Sequence, residues 1–453
     1  MAERFSFEIG LLRDLAKNVK TKPMPQGTNP LTWRDGEGPN YFRLGEASVT
    51  SIQPEAHKSF ATLTDQIVGH SPSMARGALY ANVQSELFAF VRHYEGREPS
   101  EISGEDIDLL MQHFEGWLRD RVRPQRIFVP CLLTRFRAPR FAIGPITFEF
   151  IDNVATSDFY PKNLSPDDLG RDGFDRLLAF MRDTNANWVA RFEVEGCEQE
   201  RAHQVGELAT DLAIVALQLV APKLDTRAMG RVDHRRGHTF KRRLSEADGI
   251  YAAGWWNTEP GLPIGAGILE ELLKSTQPVF SAVGGIVRSF ASGRYRLPSL
   301  EQAWCDSAYW LHEALAEPID SIAVAKLETS LEVLLRAESS RGSQARLMSV
   351  LDALFGLGPD APISPGSTVT TAQYTKKVVG DRSQILHGTW STLNARMAAE
   401  RSGMEGFVVV VLREFALKID LYAKEQLPED EIQAFLSWVK QQSSTAAPNG
   451  GGK

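Results

Sequence analysis

Between Gly265 and Gln426 the chain repeats one pattern: apolar residues at three- and four-residue spacing, broken by short turn-forming stretches. That spacing lines one face of an α-helix and no face of a strand. In "DSIAVAKLETSLEVLLRAE", for example, Ile322, Ala325, Leu327, Leu331, Leu334 and Leu335 form a single broad stripe. Further helical stretches are "SLEQAWCDSAYWLHEALAE", "SQARLMSVLDALFGLG", "TAQYTKKVVGDRSQILHG" and "GMEGFVVVVLREFALKIDLYAKEQ". Short links between amphipathic helices favour an antiparallel bundle, because each apolar face must be buried against a near neighbour.

The chain upstream is mixed in character. Helical spacing is expected in "ARGALYANVQSELFAFVRHYEG" and in "SGEDIDLLMQHFEGWLRDRV", with Ser103 as the N-cap of the latter. "RIFVPCLLTRF" and "FAIGPITFEFIDN" are rich in β-branched and aromatic residues and suggest a pair of strands, with a further strand in "NANWVARFEVEG". "QERAHQVGELATDLAIVALQLV" is a strong helix, followed from about 222 to 262 by an irregular basic and aromatic stretch. The expected layout is therefore an α+β N-terminal domain over residues 1–295, an all-α helical bundle over 296–440, and a disordered tail over 441–453.

Composition narrows the classes. A formal net charge of -7 argues against a uniformly basic surface, so any polyanion must meet local patches. Cys131, Cys197 and Cys305 are far apart and odd in number, so no disulfide framework is expected. No apolar run approaches membrane-spanning length, and the start of the sequence lacks the pattern of a signal peptide. The expectation is a cytoplasmic protein without membrane association. No Walker loop, dinucleotide fingerprint, zinc-ligand array or nucleophile elbow is present, and no cofactor or metal is expected.

Chemistry concentrates in "DRSQILHGTW", residues 381–390. Gly388 supplies the left-handed position that ends a helix at His387. An imidazole in a last helical turn faces the negative end of the helix dipole and can transfer protons near neutral pH. Arg382 carries a planar fork of donors suited to phosphate oxygens. Allowing four to six intervening residues, the pattern recurs at Arg227 with His234 and at Arg231 with His238, so spacing alone leaves two readings open. One is a pair acting on phosphate; the other is a capping histidine beside a surface arginine. Ser383, one turn before His387, can orient the imidazole, bond a phosphate or bond back to its own helix. Lys376, Lys377 and Asp381 read first as a solvated helix face.

The segments "LETSLEVLL" and "YTKKVVGDRSQILHG", in that order, resemble the C-terminal HEPN domains (higher eukaryote and prokaryote nucleotide-binding) of ApeA-like antiphage proteins and toxins. The resemblance covers roughly residues 300–425. It implies a HEPN-like bundle and a metal-independent endoribonuclease. Two copies form a homodimer, and RNA is cut at a cleft lined by both copies of Arg382 and His387, with Ser383 in support. It departs from the family at position 383, where many active members carry Asn, Asp or His. It further implies that the N-terminal domain responds to a trigger, phage-derived or regulatory.

Two basic clusters lie outside that region. One runs through Arg119, Arg121, Arg123, Arg126, Arg135, Arg137 and Arg140; the other contains Arg227, Arg231, Arg235, Arg236, Lys241, Arg242 and Arg243. With Lys376 and Lys377, the second cluster is the candidate RNA-backbone contact, the alternative being pairing with acids of the same chain. His234 and His238 beside Asp233 are expected to be surface residues and not metal ligands. Trp255 and Trp256 can stack bases or meet a partner, but burial against the bundle is the expectation.

Overall fold

The computed structural model describes residues 5–23, 41–44, 48–160, 169–221, 226–232, 239–258, 261–336, 340–390, 397–426 and 428–446. The chain is mixed α/β and predominantly helical, with small sheets. It divides into two compact units, Met1–Gln125 with Val194–Gln204, and Arg126–Glu193 with Val205–Lys453. The strands of the central sheet thus share a unit with the helices that follow them, and position 295 is not a limit of either unit.

The first unit holds α1 (Ser6–Asn18), β1 (Val19–Pro23), β2 (Tyr41–Leu44), β3 (Ser48–Ile52), α2 (His57–Gly69), α3 (Pro72–Gly77), α4 (Tyr80–Val91) and α5 (Gly104–Arg121). The three strands form an antiparallel sheet in the order β1-β3-β2. Leu12, Leu15, Phe60, Leu63, Leu87 and Phe114 meet in one core. Ser103 caps α5 as its sequence predicts, and Asp106 returns a carboxylate to the Ser103 backbone N–H at 2.8 Å. The helix expected over 75–96 is broken at Ala78 and Leu79, both extended, which separate α3 from α4.

The second unit takes in β4 (Gln125–Leu132), β5 (Phe141–Ile143), β6 (Ile146–Phe150), α6 (Ile151–Val154), α7 (Leu169–Asp183), β7 (Trp188–Val194), α8 (Gln199–Val220) from Val205 onward, and β8 (Gly230–Arg231). Its sheet runs β5-β6-β7-β4-β8. The two strand-forming stretches expected as a pair therefore lie in one sheet with β7 between them. The pairing partner of β6 on its other side is β5, through a tight turn at Gly144. Gly144 has φ +58, and a Cβ there would lie 2.3 Å from the Gly284 carbonyl oxygen. Conformation and close approach both demand glycine at that turn.

A hairpin follows, β9 (Thr239–Ala247) and β10 (Ile250–Thr258), and then α9 (Ala266–Ser275), α10 (Gln277–Ser292), α11 (Pro298–Ala316), α12 (Asp320–Leu335), α13 (Ser340–Phe355), α14 (Thr371–Leu386), α15 (Ala398–Tyr422) and α16 (Ile432–Ala446). The stretch expected to be irregular after α8 thus contains two nine-residue strands. Asp248 and Gly249, both at positive φ, form the two-residue turn that matches the twist of an antiparallel pair. The tail expected from 441 is helical as far as Ala446.

The last eight helices pack as the apolar stripes require. The Trp304 indole N–H donates to the Leu412 carbonyl at 3.0 Å, and the Ser307 and Ser330 hydroxyls lie 2.9 Å apart. The fully buried Arg401 donates to the carbonyls of Ala314, Leu315 and Glu317, so a side chain from α15 satisfies the orphan acceptors at the end of α11. Cys131, Cys197 and Cys305 are free and buried. Among the described residues no helix is long and apolar enough to cross a membrane.

Candidate active site at the end of α14

Helix α14 starts with a capping box, Thr370 accepting from the Gln373 backbone N–H and Gln373 accepting from that of Thr370. It ends at Leu386, with His387 as C-cap and Gly388 at φ +70. The glycine-terminated end read from sequence is the observed one. Ile385 anchors this end by packing with Val324 and Ala325 of α12 and with Met397, while Trp390 covers the cluster. His387, one position past the helix, is exposed.

Arg382 faces the other way. Its Nε lies 3.0 Å from Glu328 Oε2 and its Nη1 lies 2.7 Å from Glu332 Oε2. Those glutamates stand one turn apart on α12 and belong to the "LETSLEVLL" stretch, so the structure joins the two motifs that sequence could only set side by side. Sequence reading gave neither glutamate a role. Their signal was an acidic pair at helical spacing beside the buried Leu327 and Leu331.

The three groups do not all carry charge equally. Two carboxylates against one guanidinium would leave net negative charge in a nearly dry space. Glu328, only 1% exposed, is pushed up to about 8, first by burial and then by Glu332, against the lowering pull of Arg382. Burial thus favours the proton-bearing form of Glu328 at neutral pH. Arg382 Nε and Glu328 Oε2 are within ion-pair range, yet both are buried without an aligned hydrogen bond. The Ser343 hydroxyl donates to Glu332 Oε1 at 2.8 Å and fixes that carboxylate from α13.

The remaining α14 candidates divide. Lys377 Nζ reaches Asp381 Oδ2 at 2.5 Å, an i,i+4 pair along the helix. Lys376 is exposed, and Ser383 is half-buried with a hydroxyl that makes no hydrogen bond among the described residues. Neither the orienting role nor back-bonding is realised for Ser383.

In the basic stretch before the bundle, Arg227 and Arg231 are committed to acids of the same unit. Arg231, placed among RNA contacts from sequence, instead grips Asp211 through Nε and Nη2, both at 2.9 Å, and reaches Glu207 at 3.0 Å. Burial opposes its charge, but Asp211 outweighs burial and the guanidinium is held more firmly protonated than usual. Arg227 forks onto Glu405 in the same way. The intramolecular alternative therefore describes both. Arg235 and Arg236, with Asp233, His234 and His238, lie outside the described residues. Lys241, Arg242 and Arg243 lie on β9, the last two exposed. Trp255 overturns its expected burial, being 71% exposed on β10, and the Trp256 side chain lies outside the described residues.

In the first cluster Arg126 pairs with Glu193, and Arg140 with Glu149 and Asp158. An apolar cavity of about 710 Å³ lies beside the first half of α14, lined by Leu351, Phe355, Ile363, Tyr374, Phe407 and Val410. It contains none of Arg382, Ser383 or His387. Among the described residues no group of three His, Cys, Asp or Glu side chains is placed to hold a metal. No family model, curated protein or solved structure matches the chain.

Proposed function

We propose that the chain is a HEPN-type endoribonuclease that works without a metal and acts as a dimer, Arg382 and His387 of each copy forming half of the cleavage site. The observation that carries this reading is the division of labour at the end of α14. Arg382 is gathered by Glu328 and Glu332, while His387 is delivered to solvent by a glycine cap. To turn toward a phosphate, Arg382 gives up its 2.7 Å Nη1 pair with Glu332 but no aligned hydrogen bond from Nε.

In the reaction an RNA 2′-hydroxyl attacks the adjacent phosphorus, and the P–O5′ bond breaks as the 2′-O–P bond forms. One His387 takes the 2′-hydroxyl proton and the partner's His387 delivers a proton to the departing O5′. Arg382 balances the charge on the phosphorane oxygens. The products are a 2′,3′-cyclic phosphate and a 5′-hydroxyl. An antiphage or abortive-infection toxin, restrained by its N-terminal region until a trigger arrives, is the setting this chemistry serves.

A second reading is a non-catalytic RNA- or nucleotide-binding and dimerisation module. It is favoured by the direction of Arg382, whose charge is already answered by Glu332. Purified protein incubated with structured RNA in excess EDTA separates the two. Cyclic-phosphate ends that vanish in both Arg382→Ala and His387→Ala support the enzyme. Intact RNA, bound equally by wild type and His387→Ala, supports the binding module.

A further inference from the structure

Among the described residues the β9–β10 hairpin forms a sheet of its own. It is a two-stranded sheet, so among the described residues both outer edges lack a neighbouring strand. Its upper part buries almost nothing: Leu244 is 69% exposed, Ile250 74%, Tyr251 69% and Trp255 71%. Strands of nine residues with no proline, and with apolar side chains in water, are the usual template for pairing with another chain.

The register decides which groups the open edge of β9 offers. Ala247 pairs with Ile250 around a two-residue turn, which makes that pair hydrogen-bonded. Alternation along an antiparallel pair then turns the backbone N–H and C=O of Arg242, Leu244 and Glu246 outward. The same register puts the side chains of Arg242, Leu244, Glu246, Tyr251, Ala253 and Trp255 on one face.

We propose that this edge is where two copies of the chain join, β9 pairing antiparallel with the partner's β9 about a two-fold axis through Leu244. The charge order along the edge carries the choice of occupant. Arg242 and Glu246 flank Leu244 at equal distances, so an antiparallel second copy sets each arginine opposite the partner's glutamate, twice over. Leu244 meets its own symmetry mate on the axis. A two-fold interface must be self-complementary in this sense. The edge of β10, "IYAAGWWNT", has no charge pair that could set such a register. One four-stranded sheet results, its shared face carrying Trp255, Leu244 and Tyr251 from each copy. Glu246 Oε1 already accepts the Gly249 backbone N–H at 2.5 Å, which holds the carboxylate at the edge.

The inference does not rest on RNA cleavage and shares with that reading only the need for two copies. Light scattering of the full chain across micromolar concentrations tests it. Wild type is a dimer; Arg242→Glu and Glu246→Arg each weaken it about tenfold or more; the double exchange Arg242→Glu with Glu246→Arg restores it. Because the native cysteines are buried, Leu244→Cys provides the accessible thiol for a second measurement. Mild oxidation gives a covalent dimer of Leu244→Cys, whose Cα atoms are in disulfide range. It gives none of Ala247→Cys, whose mates are about 20 Å apart. A monomeric wild type, a dimer indifferent to the single reversals, a double exchange that fails to restore it, or equal cross-linking of both cysteine variants overturns the proposal. Loss of RNA affinity in Arg242→Glu with wild type monomeric assigns the hairpin to RNA instead. Each variant's thermal transition checks that the fold is intact.

Discussion

Glu332 Oε2 lies 2.7 Å from Arg382 Nη1, and the pair joins α12 to α14 just where the candidate site is built. Truncation of the carboxylate leaves Arg382 with Glu328 alone in a half-buried space. Glu332→Ala is therefore expected to destabilise the protein by about 1 kcal/mol, the value being kept small because Arg382 is 28% exposed. Chemical denaturation measures it. Glu332→Gln should recover part of the loss through the Ser343 hydroxyl.

Glu328 makes the same junction sensitive to pH. Its carboxyl titrates at 4.5 in the unfolded chain and at about 8 in the fold. Below the lower value both states hold the proton, and between the two only the folded state does. Stability from this group is therefore complete in acid and declines as pH rises toward 8. Glu328→Gln has no proton to lose. Its melting temperature relative to wild type should rise from about pH 4.5 to about pH 8 and level off above that. A difference that stays flat with pH contradicts the assignment of the proton to Glu328.

Arg231 separates structure from RNA contact. With Asp211 3% exposed, Arg231→Ala leaves a buried carboxylate without its fork of donors and is expected to cost about 3 kcal/mol. Unfolding in urea should show this directly. The salt dependence of RNA binding, measured below the transition, should match that of wild type, whereas a phosphate contact would lower the slope.

Gly284 of α10 meets Gly144 of the β5–β6 turn backbone to backbone. A Cβ at 284 would fall 2.6 Å from the Gly144 nitrogen, so Gly284→Ala must separate the helix from the turn. The expected loss is about 1–3 kcal/mol despite alanine's better helix propensity. By contrast Gly285→Ala meets only the end of the Arg296 side chain and should cost less. Thermal denaturation of the two variants makes the comparison.

What the sequence determined by itself was local. Apolar spacing placed the bundle helices, Ser103 marked the start of α5, and Gly388 marked the end of α14, because caps and stripes act over one or two turns. The Asp248–Gly249 turn was legible by the same rule, although the basic and aromatic residues around it drew attention to charge and away from alternation. Only the tertiary structure decided what each charged side chain meets. Spacing put Arg382 and His387 near each other on one helix, but packing turned Arg382 onto Glu328 and Glu332, fifty or more positions earlier, and left His387 to solvent. It likewise took Arg231 for Asp211 and put Trp255 in water. A side chain's partner is set by which helix or strand lies beside it, and that depends on burial summed over the whole unit, which no short stretch of sequence contains.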